Sequence, residues 1–100
     1  MELIYHVTTL EEWKMAQKNN FYKAASLEIE GFIHCSTATQ VEAVVERYFN
    51  GKINLIKLTI DPNKLSSKLI YELSPTINQE FPHVFGVINL DAIIQSEQIR

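Results

Sequence analysis

A chain of 100 residues with a net charge of −3 and one cysteine fits a single domain spanning 1–100, with neither an internal disulfide nor a four-cysteine zinc site. The negative balance argues against a broad nucleic-acid-binding face. No apolar run approaches the roughly 18 residues that a membrane span needs, and the start, MELIYHVTT, lacks the pattern of a signal peptide. We therefore expect a cytoplasmic protein without a membrane partner.

The first half of the chain predicts two strands and two helices. In chain order these are a strand over 2–8, a helix over 8–20, an irregular stretch over 21–30, a strand over 31–36 and a helix over 36–51. Thr8 or Thr9 can cap the first helix, with Glu11 or Glu12 closing a capping box. In the second helix the apolar residues Val41, Val44, Val45 and Tyr48 repeat at helical spacing, and Thr37 with Gln40, or Thr39 with Glu42, can cap it.

The second half predicts mainly strands. These are a strand over 53–61, a turn at 61–63, a strand over 68–73, a loop over 74–82 that contains two prolines, and strand pieces over 83–90 and 92–99. Strands and helices do not alternate strictly, so a doubly wound parallel sheet is not expected. The order predicts an α+β domain with a mixed, largely antiparallel sheet and two main helices packed around it.

Two of the three histidines stand in the same local pattern. His6 shares a strand face with Thr8, and His34 shares one with Phe32 and Ser36, while Cys35 faces the other way. A strand end that carries a histidine and a hydroxyl can hydrogen-bond a ribose, a phosphate or a carbonyl. The alternative is that these are buried histidines satisfied by the protein itself. The residues alone leave both interpretations open.

Cysteine and metal chemistry receive less support from the sequence. Cys35 is more typical of a small core residue than of a nucleophile. Three histidine ligands, His6, His34 and His83, would suit a catalytic zinc site, but no short spacing such as H-x-x-x-H supports one.

Two acidic residues could take part in catalysis. Glu72 lies in the middle of a predicted strand, and Glu80 precedes the segment FPHVFG. Either carboxylate could bind sugar hydroxyls or stabilise developing positive charge. The alternatives are an exposed strand face for Glu72 and a solvated loop for Glu80. Pro82 restricts Phe81 to extended conformations, which suits a rigid segment beside a ligand.

Four segments together carry a family resemblance. They are IYHVT, EGFIHCST, LIKLTIDPNKL and FPHVFGVINLDAI, in this order and over nearly the whole chain. The chain resembles the bacterial family called domain of unknown function 952, which is grouped by fold with the ADP-ribosyltransferase superfamily. The resemblance implies a split sheet whose cleft binds NAD or another ADP-ribosyl group. NAD would be a possible substrate, and an RNA end would be the one nucleic-acid partner to expect.

The RNA 2′-phosphotransferase branch of that superfamily is similar at two positions, since His6 with Thr8 and His34 with Ser36 match its motifs. The resemblance leaves Glu72 or Glu80 as the carboxylate that promotes transfer. The predicted catalytic residues are His34, His83, Glu72 and Glu80, and the predicted ligand-binding residues are His6, Thr8, His34, Ser36, Thr37 and Phe81. The expected function is that of a nucleotide-binding transferase.

Two alternatives remain at this point. Phe85 stands where the family usually has a tyrosine, and no basic side chain is an obvious phosphate ligand. These departures favour a second possibility, a non-catalytic module that binds a nucleotide or another small metabolite. The third possibility is a metal-dependent hydrolase that uses the three histidines.

Overall fold

The computed structural model describes residues 2–100, which form an α+β domain. The helices are α1 (Leu10–Asn19), α2 (Ala25–Glu30) and α3 (Val41–Tyr48). The strands are β1 (Ile4–Thr9), β2 (Phe21–Tyr22), β3 (Ile33–His34), β4 (Leu55–Ile60), β5 (Lys68–Ser74), β6 (Gln79–Phe85), β7 (Ile88–Asn89) and β8 (Ile93–Gln98). Within residues 2–100, no helix has both the length and the apolar character that crossing a membrane requires.

The strands pair antiparallel in two three-stranded sheets, β1–β4–β8 and β3–β6–β5, and in a small pair, β2–β7. The two larger sheets meet at one point, where Tyr5 and Ser36 exchange two backbone hydrogen bonds of 2.8 and 2.7 Å. Beyond this bridge, toward Val7 and His34, no backbone hydrogen bond joins β1 to β3 among the described residues. The described strands therefore form antiparallel sheets in an α+β fold, as the sequence predicted, and a split lies between β1 and β3.

Helix α1 begins and ends where the sequence indicated. The Thr9 hydroxyl accepts the Glu12 N–H at 3.1 Å, which satisfies one of the free donors of the first turn. Asn20 ends the helix in the left-handed conformation, with φ of 67°. Ala16 is buried and Leu10 and Trp13 pack against the core, so this helix buries one apolar stripe.

The main core lies beneath β1, β4 and β6. Ile4, Ile33, Leu58, Ile60 and Val84 are fully buried in it, and Cys35 is also part of this core. A second, smaller cluster contains Val7, Val45 and Leu55, with Val41 and Phe49 packed against it. Because β1 contributes Ile4 to one cluster and Val7 to the other, both faces of this strand are covered, and α3 packs on the Val7 face.

Two stretches that the sequence left without regular structure are ordered into elements. Residues 21–30 contain β2 and α2, and α2 was missed because six residues are too few to give a periodic signal. Helix α2 ends at Gly31, whose φ of 91° suits glycine and whose N–H donates to the Leu27 carbonyl at 3.0 Å.

The predicted loop over 74–82 is also wrong. It is a tight turn followed by β6, which starts at Gln79, and Asn78 has a positive φ of 54°. Proline misled the prediction, because Pro82 lies inside β6. The Pro82 carbonyl accepts the Cys35 N–H at 3.0 Å, but proline has no N–H to return a second bond. The regular pairing of β3 with β6 therefore ends at His34.

Candidate functional site

A cavity of about 590 Å³ opens where the sheet splits. Its walls come from β1, β3, β6, α2, α3 and the turn between β5 and β6. The side chains that carry its chemistry are His6, Ser26, Glu30, His34, Ser36 and His83, and its aromatic walls are Phe32, Tyr48, Phe49 and Phe81. Tyr48, the last residue of the apolar repeat in α3, is exposed and belongs to this wall. The volume is in the range of small-molecule sites.

At the cavity, the split leaves backbone groups of β1 without a partner in β3 among residues 2–100. Tyr5 directs its N–H and C=O toward β3, and because these groups alternate along a strand, Val7 directs its own pair the same way. No backbone hydrogen bond of the described residues joins Val7 to β3. Val7 lines the cavity and is 7% exposed. Its N–H and C=O therefore form an adjacent donor and acceptor at the cavity edge.

The His6 side chain of β1 bridges the gap to β3. Its Nδ1 donates to the His34 carbonyl at 2.5 Å, which replaces the ladder bond that a continuous sheet would make there. Its Nε2 lies 2.8 Å from the Tyr22 hydroxyl, which lies 2.9 Å from the Thr8 hydroxyl, which lies 2.9 Å from Glu12 Oε1. We call these four residues the hydrogen-bonded chain. Both ring nitrogens of His6 are engaged by the protein.

Burial changes the acidity of the groups around the hydrogen-bonded chain. Loss of solvent lowers the pKa of His6 to about 4, although the His34 carbonyl and Glu12 oppose this by favouring the charged ring. Burial also raises the pKa of Tyr22, and it raises the pKa of the Cys35 thiol to about 12. Cys35 is therefore a protonated core thiol, as its strand parity predicted, and a poor nucleophile.

The other two histidines meet across β3 and β6. His34 and His83 are paired in the register of the two strands, and their ring centroids are 5.3 Å apart in an edge-to-face arrangement. Phe32 stacks on His83, with a centroid distance of 4.0 Å and an interplanar angle of 18°. Phe32 and His34 share a face, as the alternation predicted, and Ile33 and Cys35 are in the core.

Each of these histidines contacts a glutamate. Glu72 Oε1 accepts from His83 Nδ1 at 2.7 Å, and Glu30 Oε2 lies 2.9 Å from His34 Nε2. We call His34, His83, Glu30 and Glu72 the acid–base cluster. The His83 side chain is 13% exposed, and because Glu72 occupies Nδ1, Nε2 is the ring nitrogen that Glu72 leaves available. A carboxylate on one ring nitrogen fixes the tautomer of the ring and leaves the other nitrogen as the proton acceptor.

The structure brings together only part of the set that the sequence predicted. His34, Ser36, His83 and Phe81 line the cavity, as does His6. Glu72 supports His83 from outside the lining. The three other predicted residues, Thr8, Thr37 and Glu80, lie outside the lining as well. Thr8 is 1% exposed within the hydrogen-bonded chain, and the backbone carbonyl of Glu80 accepts from Gln40 Nε2 at 2.8 Å.

Glu30 was missed by the sequence interpretation. It is the last residue of α2, four positions before His34, and Gly31 turns the chain so that the two side chains meet. The spacing E-G-x-x-H was visible in the sequence. It carried no signal because the stretch before Gly31 was interpreted as irregular.

The geometry gives the three histidines no shared metal position. Residues 2–100 contain no group of three histidine, cysteine or acidic side chains that could hold an ion. His6 is remote from such a role because the His34 carbonyl and Tyr22 occupy its ring nitrogens. A metal ligand needs a free nitrogen lone pair.

Fold and site together define a small antiparallel α+β protein with a histidine-lined cleft. The chain belongs to the family described as "Protein of unknown function (DUF952)", whose model matches residues 7–96. No curated protein matches the chain.

The fold is shared with protein CC0527 from Caulobacter crescentus. Its crystal structure has a TM-score of 0.89 and 25% identity, with 98% of this chain and 86% of that chain covered. Its solution NMR structure gives a TM-score of 0.84 and 26% identity, with coverage of 99% and 85%. The similarity extends over nearly all of the present chain.

Proposed function

We propose that the protein binds a nucleotide or an ADP-ribosyl ligand such as NAD in the cavity and transfers an ADP-ribosyl or phosphate group from it. The observation that carries this proposal is the acid–base cluster, which borders an aromatic cavity at the split of an antiparallel sheet. A split sheet of this kind supports an ADP-ribosyltransferase-like relationship. NAD would be a substrate rather than a resident cofactor. The single, buried cysteine fits a cytoplasmic site of action.

The chemistry of the walls suits the nucleoside part of such a ligand. Aromatic faces such as Phe81 and Phe49 can stack on a planar base, and Ser36, His34 and Glu30 can hydrogen-bond ribose hydroxyls. The adjacent N–H and C=O of Val7 match the donor and acceptor on the edge of a base or a carboxamide. These contacts would bind the nucleoside part and do not depend on a charge on the ligand.

The acid–base cluster supplies roles for a transfer step. Glu72 holds the Nδ1–H of His83, so Nε2 of His83 can accept the proton of an attacking hydroxyl. Glu30 is the carboxylate in the cavity lining, and it can stabilise a ribosyl centre that becomes positive as the bond to the leaving group breaks. This role was assigned from the sequence to Glu72 or Glu80, so the geometry favours a different residue for it.

A non-catalytic binding module is the second candidate, and one observation favours it. No lysine or arginine belongs to the cavity lining among residues 2–100. A phosphate-transferring enzyme normally holds its phosphates with such cations. A module that recognises the nucleoside alone does not need them.

The first experiment is an NMR titration of the labelled protein with NAD, ADP-ribose, adenosine and a 2′-phosphorylated dinucleotide. Shifts at Val7, His34 and His83 with one of these ligands would support the nucleotide cleft and identify the ligand class. Binding of adenosine as tight as that of ADP-ribose would mean that phosphates contribute little. No shift with any of them at millimolar concentration would refute the proposal.

Glu30→Gln and Glu80→Gln form a matched pair of variants. Glu30 lines the cavity and Glu80 does not, although both are exposed acidic residues. We expect Glu30→Gln to abolish turnover of NAD with little loss of binding, and Glu80→Gln to match the wild type. If the wild type binds NAD without turnover, the module is the correct alternative.

A further inference from the structure

The hydrogen-bonded chain has a proton requirement that its distances impose. Its four contacts run from the His34 carbonyl through His6, Tyr22 and Thr8 to Glu12, at 2.5, 2.8, 2.9 and 2.9 Å. Each contact needs one hydrogen between its two atoms. The carbonyl at one end has no hydrogen to give, and neither has an ionised carboxylate at the other.

A neutral imidazole and an ionised Glu12 leave the chain one hydrogen short. His6 then contributes one hydrogen, on Nδ1, and the hydroxyls of Tyr22 and Thr8 contribute one each. With three hydrogens for four contacts, two lone pairs face each other across one of them. Such a contact is repulsive, and in a buried position it costs free energy comparable to a lost hydrogen bond.

We infer that Glu12, Thr8, Tyr22 and His6 form a proton relay that holds one additional proton and thereby positions the His6 ring against β3 at the cavity. Thr8, Tyr22 and Glu12 are positioning residues, since they act on the cavity only through His6. This inference concerns the protonation of the hydrogen-bonded chain and is independent of the ligand that the cavity takes.

The additional proton allows two complete arrangements with the same heavy-atom positions. In one, a protonated Glu12 donates to Thr8, Thr8 to Tyr22, and Tyr22 to a neutral His6. In the other, every one of these bonds is reversed, so that Glu12 is ionised and His6 carries the positive charge. Moving one hydrogen across each bond converts one into the other. A charge can thus pass between the exposed carboxyl and the cavity without displacement of a side chain.

The four contacts take one additional proton, because a second would place two hydrogens in one contact. The titratable groups next to His6 are Glu12 from α1, Tyr22 from β2 and His34 from β3, and Cys35, which follows β3, acts on Tyr22. Burial and the His34 side chain disfavour a positive charge on the His6 ring, whereas the His34 carbonyl and Glu12 favour it, and burial keeps Tyr22 and Cys35 protonated. Two other elements act on the opposite face of β1: Lys57 of β4 lies over the Tyr5 ring, and α3 packs against Val7.

The test follows two NMR signals of the full chain as a function of pH, the Glu12 carboxyl carbon and the His6 ring nitrogens. A shared proton couples the two groups, so we expect both signals to change together in one step. If the Glu12 carbon titrates while the His6 nitrogens stay constant through that step, the relay does not exist.

The variant Glu12→Gln supplies the fourth hydrogen that the hydrogen-bonded chain needs. Its amide donates the fourth hydrogen to Thr8 and needs no proton from solvent, so the His6 nitrogens should no longer follow the step. Because Glu12 is exposed, this variant should fold. Glu11→Gln, an exposed neighbour in the same turn, should retain the shared step. A step that persists in Glu12→Gln would overturn the inference, as would its loss in Glu11→Gln.

Discussion

The histidines at the two ends of the split lie in opposite environments. At the closed end, the His6 ring is 8% exposed, and the protein engages both of its nitrogens. At the open end, His34 and His83 face the cavity, and each has a glutamate on one ring nitrogen. The local sequences H-V-T and H-C-S are alike, so the local pattern does not decide between these outcomes.

A hydrogen-bond partner from a distant part of the chain causes the difference between the two histidine environments. Tyr22, sixteen residues after His6, places its hydroxyl between His6 and Thr8 and closes that end. Among residues 2–100, the side-chain hydrogen bond of His34 is the one to Glu30 on Nε2, and the His34 side chain is 53% exposed. The closed end therefore serves as the structural support of the site, and the open end carries the groups that can meet a ligand.

The largest expected effect separates the two ends by stability. His6→Ala leaves the His34 carbonyl and the Tyr22 hydroxyl without their partner in the interior, and we expect it to lower the free energy of unfolding by about 3 kcal/mol. His34→Ala should cost below about 1 kcal/mol, since this side chain is half exposed. Urea denaturation of both variants measures the difference, and equal losses would contradict the division into two ends.

Sequence patterns could identify much of the fold, because the periodic elements are long. The alternation of β1, the capped stripe of α1 and the apolar run of β4 are all observed. The missed elements are those whose form depends on distant partners. Strand β2 exists through its pairing with β7, and β6 continues through Pro82 because β5 and β3 flank it.

The features of the site likewise divide into those that local strand parity predicts and those that depend on distant residues. Strand parity placed Phe32 and His34 on one face and Cys35 on the other, which the structure confirms. Parity could not tell that Thr8 faces Tyr22 rather than a ligand, since that depends on where β2 lies. Nor could it find Glu30, whose side chain reaches His34 only through the turn at Gly31.

A second prediction concerns the support of His83 at the open end. Glu72→Gln keeps an oxygen acceptor for His83 but removes the charge, and a charge-assisted hydrogen bond is about twice as strong as a neutral one. With ADP-ribose as the probe, we expect the dissociation constant to rise about tenfold, which is about 1.4 kcal/mol. Glu97→Gln, on β8, should bind as the wild type does. Unchanged affinity in Glu72→Gln would mean that Glu72 does not hold His83 for the ligand.

A third prediction uses alkaline pH to probe the buried core next to the closed end. The thiol of Cys35 ionises near pH 9 when unfolded, but burial raises its pKa to about 12 in the folded protein. Between these values the folded state retains a proton that the unfolded state releases, so stability falls as pH rises. The slope from this group is about 1.4 kcal/mol per pH unit.

Tyr22 adds to this slope with the same sign, because burial raises its pKa as well. Cys35→Ala should therefore make the decline shallower without abolishing it, as measured by urea unfolding from pH 8 to 11. His34→Ala, at the open end, should leave the slope unchanged. An identical slope in Cys35→Ala and the wild type would show that the folded protein ionises this thiol as easily as the unfolded chain.

The smallest expected effect compares the helices that flank the two ends. Thr9 caps α1 by accepting the Glu12 N–H, so Thr9→Ala should cost about 1 kcal/mol of stability. The structure gives α3 no side-chain cap, although the sequence offered Thr39 for that role, so Thr39→Ala should change stability by less than about 0.5 kcal/mol.

Thr9→Ala also separates the cap from the relay, since Thr9 touches Glu12 but lies outside the hydrogen-bonded chain. If it lowers stability and yet leaves the shared titration of Glu12 and His6 intact, the two roles of Glu12 are independent. If that shared step disappears, the cap is needed to keep Glu12 in position for the relay.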